Sequence, residues 1–228
     1  MPSDHHGFIP SSEEDLLRRR VKAELRKRMR GLRKAFPTSA CADRSSRIVE
    51  RLLAFEPVAR ARTVALFWPI EERHEVDLRA LDALFRERGV RVAYPGLDPE
   101  THVMTFRFVD DPDAMQTLGF GFREPGPSDA EAAGDALDAI VVPALAVDPR
   151  GHRIGYGAGY YDRTLPRFAP PAVTAAVVFD YQLVAEVPAT EGDVTVGWVV
   201  TDTRLLRAAN PPGGQEPGRP KGTLLRPP

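Results

Sequence analysis

The sequence predicts an α/β sandwich in which helices pack on a largely parallel central sheet. Three observations predict it. Short apolar runs, "TVALFWP" (63–69), "VRVAYP" (90–95), "LDAIVVPALAV" (137–147) and "AVTAAVVF" (172–179), read as buried strands. Amphipathic stretches of helical period alternate with them. The glycine-rich "RIGYGAGYYDR" (153–163) follows one such strand and opens a helix, the place where open α/β sheets bind ligands.

In chain order, "SSEEDLLRRRVKAELRKRMRGLRKAF" (11–36) reads as a helix capped by Ser11 or Ser12, with Glu14 or Asp15 three residues on. Leu17, Val21, Leu25, Met29 and Leu32 supply its apolar stripe. A second helix is expected from Asp43 to Phe55, then the strand 63–69. "VDLRALDALFRERG" is a helix opened by Asp77, buried through Leu78, Leu81, Leu84 and Phe85, and closed by Gly89. Strands follow at 90–95 and in "HVMTFRFV" (102–109), then the turn-rich "GFGFREPGPSD" (119–129) and the long strand 137–147. "YYDRTLPRF" (160–168) starts a short helix that Pro166 limits. The strands 172–179 and "GWVVT" (197–201) complete the sheet.

The expected organisation is a flexible tail over residues 1–10, a single α/β domain over 11–209, and a Pro/Gly-rich tail over 210–228 with too little apolar surface to offset ordering entropy. The 228 residues carry 31 Lys and Arg against 32 Asp and Glu, a formal net charge of −1. That balance argues against a surface built for nucleic acid or anionic lipid. With one cysteine, Cys41, no internal disulfide forms. No secretory signal or long apolar run is present, so the expected address is the cytoplasm, with no membrane partner. The five histidines lack a zinc-ligand pattern.

The glycine loop has two readings. Glycines bring backbone N–H groups close to an anion, the following helix N-terminus adds positive charge, and Arg153 at the entry offers a bidentate fork to phosphate. Alternatively, a tight strand–helix turn merely needs glycine. Gly155, Gly157 and Gly159 do not have the Rossmann spacing, and no Walker sequence exists in the chain, so any phosphate loop here is of another type.

"DAIVVPALAVDPRGHRIGYGAGYYDRTL" resembles the signature of the 5-formyltetrahydrofolate cyclo-ligases (methenyltetrahydrofolate synthetases). Three further segments resemble that family in order and spacing: "KAELRKRMRGLR", "ALFWPIEERHEVDLRAL" and "LGFGFREP". The likeness runs from about Val21 to Asp202. It implies a fold like the NagB/RpiA/CoA-transferase group. It also implies conversion of 5-formyltetrahydrofolate to 5,10-methenyltetrahydrofolate with ATP and Mg²⁺, giving ADP and phosphate. The expected partners are these small molecules alone, bound by a monomer.

Carried over residue by residue, the resemblance implies nucleotide contacts at Lys22 and Arg26 and along Arg153, Ile154, Gly155, Tyr156, Gly157, Ala158, Gly159, Tyr160 and Tyr161. It implies folate contacts at Phe67, Glu75, Tyr156, Gly157, Ala158, Gly159 and Tyr160, Mg²⁺ ligands at Asp162 and Asp193, and catalytic roles for Arg153 and Asp162. Each also has a plainer reading. Lys22 and Arg26 suit a solvated basic face, Asp162 a helix N-terminal charge and Asp193 a turn. Phe67, Trp68 and the tyrosines suit core packing. Some relatives carry basic residues where this chain has Tyr156 and Ala158, so phosphate would rest on backbone amides with Arg153, Lys22 and Arg26. Gly197–Trp198 stands where many relatives are acidic.

The chemistry implied is phosphorylation of the formyl oxygen, followed by attack of the neighbouring amine and loss of phosphate. The protein then supplies alignment and charge neutralisation, without a side-chain nucleophile. A sugar-phosphate isomerase or acyl-CoA transferase would fit the same scaffold, and a non-catalytic nucleotide or folate binder is the alternative from another class.

Overall fold

The computed structural model describes residues 13–98, 101, 103–117 and 122–209. Ser11, Ser12, His102, much of "LGFGFREP" and both expected tails fall outside the described residues. In chain order the elements are α1 (Glu13–Ala35), α2 (Thr38–Ala54), α3 (Glu56–Ala59), β1 (Thr63–Ala65), α4 (Arg79–Glu87), β2 (Arg91–Leu97), β3 (Met104–Phe108), β4 (Gln116–Thr117), β5 (Arg123–Glu124), β6 (Ala139–Pro143), β7 (Ala146–Val147), β8 (Arg153–Ile154), α5 (Tyr160–Thr164), β9 (Val173–Val177), β10 (Trp198–Val200) and β11 (Leu205–Arg207).

The sheet order is β11-β10-β9-β6-β1-β2-β3. The five central strands are parallel, and antiparallel β3 and β11 close the two edges. Strand direction alternates the side chains between two cores. Val64, Val92, Tyr94, Val141, Ala175, Val177 and Val200 face one, beneath α2 and α4 with Ile48, Leu52, Leu81 and Phe85. Ala65, Ala93, Ile140, Val142, Ala176 and Val199 face the other, where Leu165 and Phe168 cover them. The expected α/β sandwich with a mostly parallel sheet is therefore the fold observed. Going from β1, the chain winds to β2 on one side and later to β6 on the other. The adjacent carboxyl ends of β1 and β6 are thus the topological switch point.

Several boundaries differ from the sequence expectation for local reasons. The helix expected from Asp43 begins at Thr38, directly after Pro37, which suits a helix start. The run 63–69 contributes only three residues to β1. Leu66 still donates its N–H to the Ala93 carbonyl of β2 at 2.9 Å, and Phe67 stays buried as the chain turns out of the sheet. The run 137–147 is split: Pro143 ends β6, and Ala146–Val147 forms a separate antiparallel hairpin with Arg153–Ile154. Asp77 stands one residue before the N-cap position of α4, which is Leu78; it accepts the Arg79 N–H at 2.9 Å and pairs with the Arg79 guanidinium. Leu84 is half-buried beside the buried Leu78, Leu81 and Phe85. Pro166 does limit α5, which passes into a 3₁₀ turn at Leu165–Arg167.

The largest correction concerns α1. Leu17 is 61 % exposed and Val21 also faces solvent; the buried residues are Lys22, Met29 and Arg33. Leu25, Met29 and Leu32 pack on Leu145, Ala146, Ile154 and Val187 of the β7–β8 hairpin and its surroundings. The line 22–26–29–33 has the same helical spacing as the expected stripe, and it carries Lys22, Arg26 and Arg33. Gly197–Trp198 has a packing role: the Gly197 N–H donates to Thr174 Oγ1 at 2.8 Å, and Trp198 opens β10 against the Phe55 ring, 4.6 Å away.

Candidate functional site

Three segments leave the carboxyl ends of the parallel strands and meet under α1. The first, residues 66–78, follows β1. The second is the β7–β8 hairpin with the glycine loop after β6. The third, residues 178–197, joins β9 to β10. Helix α1 contacts β7, β8 and the 3₁₀ turn at Glu71–Arg73, and Lys22 bonds Thr190 and Asp193, so its cationic line reaches all three segments.

The N-terminal part of that line ties to the third segment. Lys22 is 6 % exposed, and its ammonium donates to the Asp193 carboxylate and, at 2.8 Å, to Thr190 Oγ1. Asp193 Oδ2 also accepts the Thr190 N–H at 2.8 Å. One turn further, Arg26 Nε donates to the Gly155 carbonyl at 3.0 Å. Its guanidinium carbon lies 3.6 Å from where a Cβ on Gly157 would stand. Gly157 has φ +112° and Gly159 φ +67°, backbone states open to glycine at little cost. Burial lowers the Arg26 pKa, and the Asp193 charge opposes that shift.

The glycine loop is pinned at both ends. Arg153 donates to the Val194 carbonyl and, at 2.8 Å, to Asp162 Oδ1, which also accepts the Val194 N–H at 3.2 Å. With 5 % of its side chain exposed, the Arg153 fork is turned inward onto Asp162 and Val194. Its pKa is lowered by burial, with Asp162 working in the opposite direction. Because Val194 adjoins Asp193, the two carboxylates distant in sequence come to one place. Among the described residues, every hydrogen bond to Asp162 falls on Oδ1 and every one to Asp193 on Oδ2. Ile154 is buried under α1 within the hairpin core.

The middle of the loop reaches the first segment. The Tyr156 hydroxyl donates to Glu75 Oε1 at 2.6 Å, and Glu75 Oε2 accepts the Ile70 N–H at 3.0 Å. Arg33 stands behind this pair. Its Nε donates to the His74 carbonyl at 3.1 Å, one terminal nitrogen lies 3.3 Å from the Tyr156 hydroxyl, and another lies 3.8 Å from Glu75 Oε1. Arg73 covers the Tyr156 ring at 4.7 Å. Burial first, then the Glu75 charge, pushes the Tyr156 pKa up to about 12, so its hydroxyl is a donor at neutral pH. Tyr161 is raised by the same causes in the same order.

The structure brings together all the expected polar residues: Lys22, Arg26, Glu75, Arg153, Tyr156, Asp162 and Asp193. It places the aromatics differently. Phe67 is buried in the core beneath α2 and α4, so its contacts are those of packing. Trp68 is half-buried and carries Arg123 4.9 Å above its ring. Tyr160 and Tyr161 pack against the opposite core, and Arg163 lies 5.4 Å over Tyr160. Sequence reasoning missed Arg33, Arg73, His74 and Thr190. Arg33 had a readable signal, since it shares a helix face with Lys22 and Arg26. His74 had none: its left-handed backbone (φ 48°) and its Nδ1 contact with the Arg33 carbonyl at 2.9 Å depend on α1 docking.

Among the described residues, no helix is long and apolar enough to cross a membrane. Residues 18–202 match the model of the 5-formyltetrahydrofolate cyclo-ligase family. The chain is 39 % identical over 156 residues to the 5-formyltetrahydrofolate cyclo-ligase of Mycolicibacterium smegmatis, covering 64 % of this chain and 77 % of that protein. To the 5-formyltetrahydrofolate cyclo-ligase of Escherichia coli it is 27 % identical over 180 residues, covering 78 % and 98 %. The NMR structure of Aquifex aeolicus 5,10-methenyltetrahydrofolate synthetase superposes with a TM-score of 0.71 at 26 % identity, covering 89 % of this chain and all of that one.

Proposed function

The chain belongs to the 5-formyltetrahydrofolate cyclo-ligase family, and from that premise we propose that it closes 5-formyltetrahydrofolate to 5,10-methenyltetrahydrofolate, with ATP as phosphoryl donor, at the carboxyl edge of its sheet. ADP and phosphate are the other products. The observation that carries this assignment of the site is the glycine loop itself. One loop is held by Arg153–Asp162 at its ends, by Arg26 in its middle, and by Tyr156 on Glu75. A loop with those attachments aligns an anion held by α1 with a heterocycle held after β1.

Lys22 and Arg26, with loop amides from Gly155 to Gly159, hold the nucleotide phosphates. Arg153 acts through Asp162, fixing that carboxylate and the Val194 backbone. Glu75 accepts the donors of the folate ring and orients the formyl oxygen toward the phosphate side. Trp68 and Tyr160 wall the pocket. Cys41 takes no part: it is buried, and burial raises its thiol pKa.

Asp162 and Asp193 suit Mg²⁺. Each has one oxygen bonded by protein donors and a second oxygen left for a hard cation, which takes few protein ligands and completes its shell with water and phosphate. When bound, Mg²⁺ would neutralise charge on the transferred phosphoryl group.

The direct test is ultraviolet detection of methenyltetrahydrofolate on mixing protein, Mg·ATP and 5-formyltetrahydrofolate. Product should form only with all three present. Absence of product, or product without ATP, would sink the reading.

A further inference from the structure

The carboxylate assigned to the substrate is already in use. Glu75 has 6 % of its side chain exposed, and both its oxygens are engaged: Oε2 by the Ile70 N–H, Oε1 by the Tyr156 hydroxyl at 2.6 Å. With so little of the side chain exposed and Arg33 3.8 Å away on the same oxygen, the hydroxyl covers the approach to Oε1, so a ligand that reaches for Oε1 competes with it. Tyr156 is built to leave. It is 37 % exposed and sits between Gly155 and Gly157, whose φ is +112°. Its ring is covered by Arg73 at 4.7 Å, and Arg73 is itself exposed. Arg33 is built to stay. It is buried, bonded to the His74 carbonyl, and lies 3.8 Å from Glu75, so the carboxylate keeps a cation beside it when the tyrosine goes. The same loop is held from the other side by Arg26, whose Nε bonds the carbonyl of Gly155, the residue before the tyrosine.

We propose that Tyr156 is a displaceable latch on Glu75, released when an anion at Arg26 draws that guanidinium off the Gly155 carbonyl. The latch makes folate binding conditional on nucleotide binding. This rests on the reading of Glu75 as the folate contact. In energetic terms the protein holds two states, Glu75 covered and Glu75 free, and the folate binds the second. Its apparent affinity is reduced by the fraction of molecules in that second state. A hydrogen bond to a charged acceptor biases such an equilibrium about ten- to a hundredfold. Nucleotide removes the bias, and by linkage folate tightens nucleotide binding by the same factor.

The test uses Tyr156→Phe in the full chain, which removes the hydroxyl and leaves the ring under Arg73. Dissociation constants for 5-formyltetrahydrofolate are measured by calorimetry with and without a non-hydrolysable ATP analogue and Mg²⁺, alongside a thermal melt to report folding. In the wild type, nucleotide should tighten folate binding about tenfold or more. In Tyr156→Phe, folate should bind about tenfold tighter than in the wild type without nucleotide, and adding nucleotide should change little. Equal or weaker folate binding in Tyr156→Phe, or undiminished coupling to nucleotide, overturns the latch. Glu75→Gln in parallel separates the two claims. If it leaves folate affinity unchanged with the nucleotide analogue bound, where the latch is already released, Glu75 is not the folate contact and the latch falls with that reading. If it weakens folate binding while Tyr156→Phe behaves as wild type, the latch alone is wrong.

Discussion

Replacing Arg153 distinguishes a side chain that holds the site together from one that grips phosphate. Its guanidinium has 5 % of the side chain exposed and makes two contacts, one to Asp162 at 2.8 Å and one to the Val194 carbonyl. Arg153→Ala removes both. Both hydrogen bonds have the charged guanidinium as donor, and bonds of that kind contribute roughly 1.5–3 kcal/mol each. Breaking a fully buried ion pair costs about 3–5 kcal/mol, but Asp162 is 30 % exposed and water reaches it once the arginine is gone. The expected loss is therefore about 3 kcal/mol, or roughly 6–12 °C in Tm for a domain of this size. Arg153→Lys keeps the charge but reaches one acceptor in place of two, so about half the loss should return. The functional readout is the Mg²⁺ concentration for half-maximal rate, set against nucleotide affinity measured without metal. An arginine acting through Asp162 raises the Mg²⁺ requirement severalfold and leaves metal-free nucleotide binding within about threefold. A tenfold or greater loss of metal-free nucleotide affinity, with Mg²⁺ dependence unchanged and Tm intact, would refute the inward role and restore the phosphate fork.

Glu75→Gln should lower kcat/KM for the folate about ten- to a hundredfold, because an amide turns a donor toward a donor in a desolvated pocket, and should not weaken nucleotide binding in the absence of folate, since a looser Tyr156 latch can only favour it. Calorimetry with each ligand alone checks it. Asp162→Asn and Asp193→Asn should each raise the Mg²⁺ needed for half-maximal rate, since a hard anionic ligand is lost at constant size; a melt run beside the titration shows whether only stability has moved. Asp180, bonded by Arg204 and by the Thr203 and Thr201 hydroxyls, has its pKa drawn down to about 2, the Arg204 bond contributing most. A depressed carboxylate stabilises the fold above its unfolded-state pKa of about 3.9 and loses that contribution as pH falls through its folded value. Asp180→Asn should therefore lower Tm at pH 7, with the difference from wild type shrinking between about pH 4 and pH 2. A chain trimmed to residues 11–209 should keep both Tm and activity, as a thermal melt and the ultraviolet assay would show.

Apolar periodicity determined the layers. Val64, Val92, Val141 and Val177 lie in runs that allow only buried strands, and the Leu81 and Phe85 stripe allows only a helix against them; these are local facts of side-chain spacing. The glycine loop and its position after a strand were equally legible, because φ > 0 at Gly157 and Gly159 is a backbone requirement written in residue type. Family resemblance, not spacing, pointed to Glu75, Asp162 and Asp193. Their meeting was decided by topology. The strand order puts the ends of β1 and β6 side by side, and Val194 carries Asp193 to Asp162 across 31 residues of chain. The rotation of α1 was also a tertiary decision. Leu17 and Val21 had the hydrophobicity to be buried, yet Lys22 and Arg33 are buried in preference. Lys22 meets Asp193, and Arg33 meets Glu75 and the His74 carbonyl, partners that exist only once the sheet has formed. A charged side chain enters the interior only where such partners stand ready, so which face of α1 turns inward depends on the sheet edge it docks against.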